Sequence, residues 1–369
     1  MSEAALHTPA HGPGRAALLW LSLRQQWIFF VIPLLYVATT SWFLRDVPEA
    51  RVASVRALVM GMITLTLPAG LVAVFLFRLA QYALVLKPTS PTRQMIRDVG
   101  GLFSKPSAII LGLPLLAAMV IFNKGMLELK PMIPFVNPFT WDLPLADLDR
   151  SLHGGSDPWV LLQPVLGHDY VTFIISVFYN LWFLALFGCF TWFGFASRPS
   201  VNRTQFFLSY MLTWWIGGGL LAVAFSSAGP VYYSGIGLAP DPFAPLMAYL
   251  NDVDLRLPIL SLDTQKLLWD GYTGKTAPIG ISAFPSMHNA SALLFALATW
   301  RRSRGLGIAF AVYCAIILIG SVHLGWHYAV DGYAGLLLAA LCWWLSGFAA
   351  RWHHARGDSR KLDEGLASL

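Results

Sequence analysis

The chain has 369 residues, 56% of them hydrophobic and only 12% charged, with a mean hydropathy of +0.60. Soluble domains carry about 25% charged residues, so this composition excludes an ordinary soluble protein and points to an all-α polytopic integral membrane protein. The net charge of +6 and the pI near 9.3 do not indicate nucleic acid, because the basic residues are scattered between apolar runs in the manner of cytoplasmic loops.

Residues 1–23 lack the apolar centre of a cleavable signal, and 27–44 reads as a retained first span. Further apolar stretches of spanning length, or close to it, follow at 57–77, 107–122, 170–196, 205–228, 286–300, 306–325 and 330–350. That makes about eight spans, the third and sixth being short. With the N-terminus placed inside, 16 of the 25 Lys and Arg fall on the inner side, among them Arg301, Arg302 and Arg304 in one tight link. This bias is what orients spans, so both termini are expected in the cytoplasm. The three cysteines, Cys189, Cys314 and Cys342, all lie in apolar runs and form no disulfide framework.

Two long connections fall on the outer side. Residues 123–168 mix aromatics with Asp142, Asp147, Asp149 and His153, which suits an ordered interfacial cap better than a head-group site. Residues 229–284 run from Gly229-Pro230 to Phe284 and have the length and turn residues of a functional lid. Gly229 and Pro230 form either a phosphate-side turn or a plain helix terminator. Gly217-Gly218-Gly219 reads as a close helix-packing site.

The chemistry concentrates in Pro285-Ser286-Met287-His288 and, 39 residues after that histidine, His327-Tyr328-Ala329-Val330-Asp331. Two crossings separate the motifs, so both histidines return to the outer face. His327 and Asp331 are four apart and share a helix face. Imidazole transfers protons near neutral pH and can act as a nucleophile when a partner fixes its tautomer. Pro285 is expected in the first helical turn, with Ser286 and nearby free N–H groups offering an anion site.

Gly280-Ile281-Ser282-Ala283-Phe284-Pro285-Ser286-Met287-His288 and His327-Tyr328-Ala329-Val330-Asp331-Gly332 resemble the second and third motifs of the type 2 phosphatidic acid phosphatase superfamily. The nearer likeness is to its inositol phosphorylceramide synthase and sphingomyelin synthase branch. It covers about residues 205–350. The resemblance implies a phosphatidic-acid-phosphatase-type helix bundle, with His327 as nucleophile forming phosphohistidine and Asp331 as its orienter. It implies His288 as general acid and base and Ser286 as a phosphate contact, without metal or cofactor. It divides the chain into an N-terminal membrane region of no assigned role (1–106), a catalytic membrane domain (107–350) and a polar cytoplasmic tail (351–369).

Two departures matter. The superfamily's Lys-x6-Arg-Pro first motif is absent, and the position six before His327, an Arg in its phosphatases, is Ser321. Another cation should serve the phosphate, and Lys275, Arg256 and Lys266 are the candidates in that order. His323, His327 and Asp331 are spaced as a metal face could be, but Gly325 interrupts the helix, so His323 reads as a supporting residue near the substrate. The expected reaction is transfer of a phospho-head group from a phospholipid donor to a lipid alcohol. The first alternative is hydrolysis of phosphatidic acid, a related lipid phosphate or a polyisoprenyl phosphate, with water as acceptor. The second is a transporter or haem protein using the histidines as ligands. Short loops favour a bacterial inner membrane with the site facing the periplasm. Neither the oligomeric state nor the lipid is legible.

Overall fold

The structure is a computed structural model that describes residues 14–49, 87–103 and 106–369, together with scattered positions between 51 and 82. Its described residues form helices and connecting turns, without strands. The described residues open with a bent pair: α1 (Arg15–Gln25) meets α2 (Ile28–Leu44) at 57°. After α3 (Pro91–Phe103), α4 (Pro106–Leu129) packs along α2. A short 3-10 turn, Lys130–Met132, carries α4 on towards Val136.

The first long connection is partly helical. It holds α5 (Asp142–Leu152) and α6 (Pro158–Leu166). Then α7 (Asp169–Asn180) and α8 (Trp182–Gly194) make one span interrupted at Leu181. Next, α9 (Val201–Trp215) continues through a π-helical segment, Ile216–Leu221, to Ala224. The three glycines of that segment admit neighbours: a Cβ on Gly217 would come within 2.5 Å of Met287 and 2.7 Å of Leu338. The second long connection carries α10 (Ala244–Asp254) and α11 (Leu260–Tyr272).

Three helices complete the centre: α12 (Met287–Trp300), α13 (Arg304–His323) and α14 (Ala329–His354). Here α12 is enclosed by α9, α13 and α14. Its Ala290, Ala292, Leu294, Phe295 and Ala298 are fully buried. The amphipathic α15 (Gly357–Ala367) closes the chain and packs back on α1, with Leu18, Leu111, Leu362 and Leu366 forming a separate core. The N- and C-terminal described helices therefore share one end of the bundle.

Among the described residues, five helices are long and apolar enough to cross a membrane, six if α1 and α2 count as one bent span. The expectation of eight spans is not met among them. The expected span 57–77 lies almost wholly outside the described residues. The expected span 286–300 exists as α12, but its 14 residues rise only about 21 Å, short of a ~30 Å hydrocarbon core. It is a buried helix of the bundle's centre. The other expected spans coincide with observed helices to within a few residues, except that 107–122 extends to Val136.

At the end shared by the termini, Arg203 is 2% exposed and fully engaged. Its guanidinium donates to the carbonyls of Phe193, Gly194 and Leu111 and to the side-chain oxygen of Gln26. It thus ties α9 to α8, α4 and the α1–α2 junction. A buried charge needs such complete partnering.

Candidate functional site

The two motifs meet at the opposite end of the bundle. Helix α13 stops at His323, and Gly325, at φ +71°, turns the chain back. The N–H groups of Trp326 and His327 both donate to the Ser321 carbonyl at 3.0 Å. His327 then immediately precedes Tyr328, the cap of α14. Asp331, fully buried in the first turn of α14, accepts the Tyr328 N–H at 3.0 Å and lies 3.3 Å from His327 Nδ1. One carboxylate oxygen thereby serves both the helix start and the imidazole, fixing the ring with Nε2 directed away from Asp331.

His288 lies in the first turn of α12, half-buried between two aromatic rings. Tyr179 stacks on it with centroids 5.1 Å apart, and Trp182 leans over it at 4.4 Å. Trp182 Nε1 also donates to the His288 carbonyl at 3.2 Å. The break at Leu181 between α7 and α8 places these two rings against it. His288 and His327 are within electrostatic reach of each other.

Pro285 is not in the first helical turn as expected. Ser286 is the N-cap, and Pro285 precedes it after a cis bond. Ser286 is fully buried and tightly engaged: its N–H donates to the Asp331 carbonyl at 2.9 Å, and its Oγ accepts from Asn289 Nδ2 at 3.0 Å. Asn289 also donates to Ser321 Oγ at 3.3 Å. Ser321, at the position where the superfamily's phosphatases carry Arg, is thus a buried member of a neutral network. At this helix start the N–H groups of Met287, His288 and Asn289 have no i−4 acceptor within the helix, the geometry an anion site uses.

Of the three cations expected from sequence, two are paired with carboxylates and the third lines a separate cavity. Lys275 is exposed and pairs with Asp270 at 3.0 Å. Arg256 is clasped by Asp169 at 2.6 Å and Asp252 at 2.8 Å, and its guanidinium holds the Asp252 carboxyl below the usual range. Lys266 lines a shallow outer cavity of about 450 Å³ with Asp254, Asp263 and Trp269.

The cation that does reach the motifs is Lys130, at the end of α4. Gly280, at φ +111°, opens the second motif, and a Cβ there would stand 2.9 Å from the Lys130 backbone and its Cγ. The Lys130 charge bears on His288, and the amine has no hydrogen-bond or ion-pair partner among the described residues. Sequence reasoning missed it, although a signal was present. Lys130 is followed, seven and eight positions on, by Asn137 and Pro138. This is the spacing of Lys-x6-Arg-Pro with Asn in place of Arg. Asn137 donates to the Val223 carbonyl at 2.7 Å, so this residue anchors the turn and brings no charge.

Two carboxylates of α5 brace the centre. The buried Asp142 accepts from Ser227 Oγ, from the N–H groups of Ala228 and Gly229, and from the Tyr328 hydroxyl, all within 3.0 Å. It thereby joins the Gly229-Pro230 turn to the cap of α14. Gly229, at φ +97°, lies so close that a Cβ would meet the Trp326 carbonyl oxygen at 2.7 Å. Asp149 accepts the N–H groups of Ala329 and Val330 at 2.8 and 3.0 Å, a carboxylate at a helix N-terminus. Burial pushes the Asp149 carboxyl up, while those two N–H bonds pull it down by less. His153 joins the same group, with Nδ1 at the Asp149 carbonyl and Nε2 at the Tyr333 hydroxyl. These groups act as a structural cap.

His323 points elsewhere. It is fully buried, with Nε2 2.9 Å from Thr172 Oγ1, which contacts Tyr249 in turn. It does not share a face with His327 and Asp331, because the chain reverses at Gly325.

A family model described as the PAP2 superfamily matches residues 143–345. That interval holds most of α5 to α14 and both histidine motifs, but begins after Lys130. No curated protein matches the chain, and no solved structure matches it.

Proposed function

The chain belongs to the PAP2 superfamily, and on that premise we propose that it transfers a phospho-head group from a membrane phospholipid to a lipid alcohol. The observation that carries this reading is the His327–Asp331 pair set beside His288, with Lys130 the nearby unpaired cation among the described residues. Asp331 holds His327 in the tautomer with its proton on Nδ1, so Nε2 carries the lone pair. Nε2 attacks phosphorus, and a P–N bond forms as the P–O bond to the leaving alcohol breaks. His288, protonated, gives its proton to the departing oxygen. The acceptor hydroxyl then loses its proton to His288 and attacks the phosphohistidine. The P–N bond breaks and His327 is restored. Lys130 and the N–H groups at the start of α12 balance charge on the phosphoryl oxygens. Ser286 acts through the backbone around it.

Transfer is preferred to hydrolysis because the site is poor in arginine, as in the sphingolipid synthase-like branch. The arginine of the first motif is Asn137 and that of the third is Ser321. The same centre with water as acceptor would be a lipid phosphatase. The charge bias of the loops supports a site on the outer membrane face and both termini in the cytoplasm, as in a bacterial inner membrane. The test is incubation of the purified protein with phosphatidylinositol or phosphatidic acid, with and without ceramide or diacylglycerol, followed by mass analysis. The expected product is the acceptor lipid, chosen with chains different from the donor's, bearing the donor's phospho-head group. Free phosphate or phospho-alcohol at the same rate with and without acceptor would replace transfer by hydrolysis. No turnover of any phospholipid would end the reading.

A further inference from the structure

Far from the histidine centre, where the termini meet, a second polar cavity of about 150 Å³ is lined by Arg24, Gln25, Trp27, His353, Arg356 and Ser359. It brings together the end of α1, the end of α14 and the start of α15. No carboxylate lines it among the described residues. His353 is 4% exposed, and its Nδ1 has no hydrogen-bond partner. Its Nε2 lies 3.0 Å from the side-chain nitrogen of Gln25, which also donates to Ser359 Oγ at 3.1 Å. A buried polar atom without a partner is costly, and this one belongs to the lining of a cavity that also carries two guanidinium groups.

The aromatic residues around it indicate depth. Trp20, Trp27 and Trp352 are 69%, 44% and 50% exposed, and the Arg356 guanidinium lies 3.6 Å over the Trp352 ring. Exposed tryptophans at one end of a membrane bundle mark the interfacial layer, where phospholipid phosphates reside. We propose that this cavity is a phosphate-binding site for an anionic phospholipid head group, separate from the reaction centre. Arg24 and Arg356 supply the charge, and the unpartnered His353 Nδ1 is the buried polar atom that a bound phosphate would satisfy. A bound phosphate would join α1, α14 and α15, and so secure the terminal helices to the bundle.

Thermal unfolding of the full chain in detergent tests this, with dioleoylphosphatidylglycerol, dioleoylphosphatidylcholine and inorganic phosphate as separate additions. Phosphatidylglycerol is expected to raise the midpoint of the wild-type protein and of His327→Ala alike, and phosphatidylcholine to raise neither. Arg24→Gln/Arg356→Gln should weaken the apparent affinity about tenfold or more, since each charge-assisted bond is worth roughly that factor. Arg24→Lys/Arg356→Lys should retain a measurable part. A gain from inorganic phosphate that also requires the arginines assigns the site to the free anion; a gain from the lipid alone assigns it to the head group. Equal stabilisation by both lipids, or a phosphatidylglycerol gain unchanged in the glutamine variant, overturns the site. If the glutamine variant does not fold, native mass spectrometry of His353→Phe takes its place. Fewer bound phosphatidylglycerol molecules than on the wild type support the site, and an equal number overturns it.

Discussion

Ser286 and Asp331 meet through their backbones: the Ser286 N–H donates to the Asp331 carbonyl at 2.9 Å. The bond joins the first turn of α14 to the cap of α12, so the two histidine motifs are registered by main-chain geometry. Gly335 makes it possible, because a Cβ there would run into the Ser286 carbonyl. Gly335→Ala is therefore expected to separate the two helix starts. Overpacking typically costs ~1–3 kcal/mol. The unfolding midpoint should fall, and activity should fall more than stability alone explains, as read from turnover well below the midpoint. Normal turnover in a folded Gly335→Ala protein would show that the register is not critical.

His327→Ala should abolish turnover and leave the protein folded. Its imidazole makes one polar side-chain contact, to Asp331. Loss of general acid–base help alone typically costs ~10²–10⁴ in rate, and loss of a nucleophile should cost at least as much. Steady-state turnover with circular dichroism as a folding control is the measurement, and near-normal turnover would rule out a phosphohistidine.

His288 is expected to be separable from His327 by timing. With a nitrophenyl phosphate ester the leaving group needs no proton. His288→Ala should then still phosphorylate His327 but release the phosphoryl group slowly. An acid-labile, base-stable adduct should accumulate after rapid quench, and be missing from His327→Ala. An adduct on His288 would reverse the roles.

Lys130→Ala should lower kcat/KM for lipid phosphates by about 10²-fold, the scale of losing one electrostatic contact to a developing charge. Lys130→Arg should recover part of it, whereas Lys275→Ala and Arg256→Ala should change little. Kinetics of the four variants decide the matter. An unaffected Lys130→Ala alongside an inactive His327→Ala would remove the lysine from the scheme without touching the rest.

Asp149 gives a pH-dependent signature in stability. Its folded-state carboxyl is raised by burial, so the folded state holds the proton more tightly than the unfolded chain. Stability contributed by this group must then fall as pH rises from the ordinary aspartate range through the raised one. Asp149→Asn lacks that proton. The midpoint difference, wild type minus variant, should decrease with rising pH over this window. A difference that grows instead would mean the two N–H bonds from Ala329 and Val330 outweigh burial.

Much of the centre is legible in the sequence because its logic is local. His327 and Asp331 sit four apart across the start of α14, one just before its cap and the other in its first turn, and His288 follows the serine that caps α12. What is not legible depends on distance in space. Lys275 and Arg256 stand near the motif in sequence, but a flexible cation takes the closest carboxylate, and Asp270, Asp169 and Asp252 are closer. Lys130 is hidden because its motif carries Asn137 in place of the second charge, and because its approach needs the left-handed backbone of Gly280. Asp142 and Asp149 read as a cap, and the structure shows what they cap. Their carboxylates hold the start of α14, which no spacing rule can reveal across 180 residues. Pro285 falls two positions before the first helical residue, since the helix begins after Ser286, not before it.

The packing of α1 against α15 has a practical consequence for rewiring the chain. The two helices lie side by side at one end, and the tight link Arg301–Ser303 sits at the same end, where Arg301 bonds Gln205 at 2.7 Å. A short flexible linker from Ala367 to Arg15, with the chain reopened at Ser303, would put the new ends on the side that held the old ones. Each span would keep its direction, and the histidine centre, at the far end, would lose no bond. Closely placed ends favour such circular permutation.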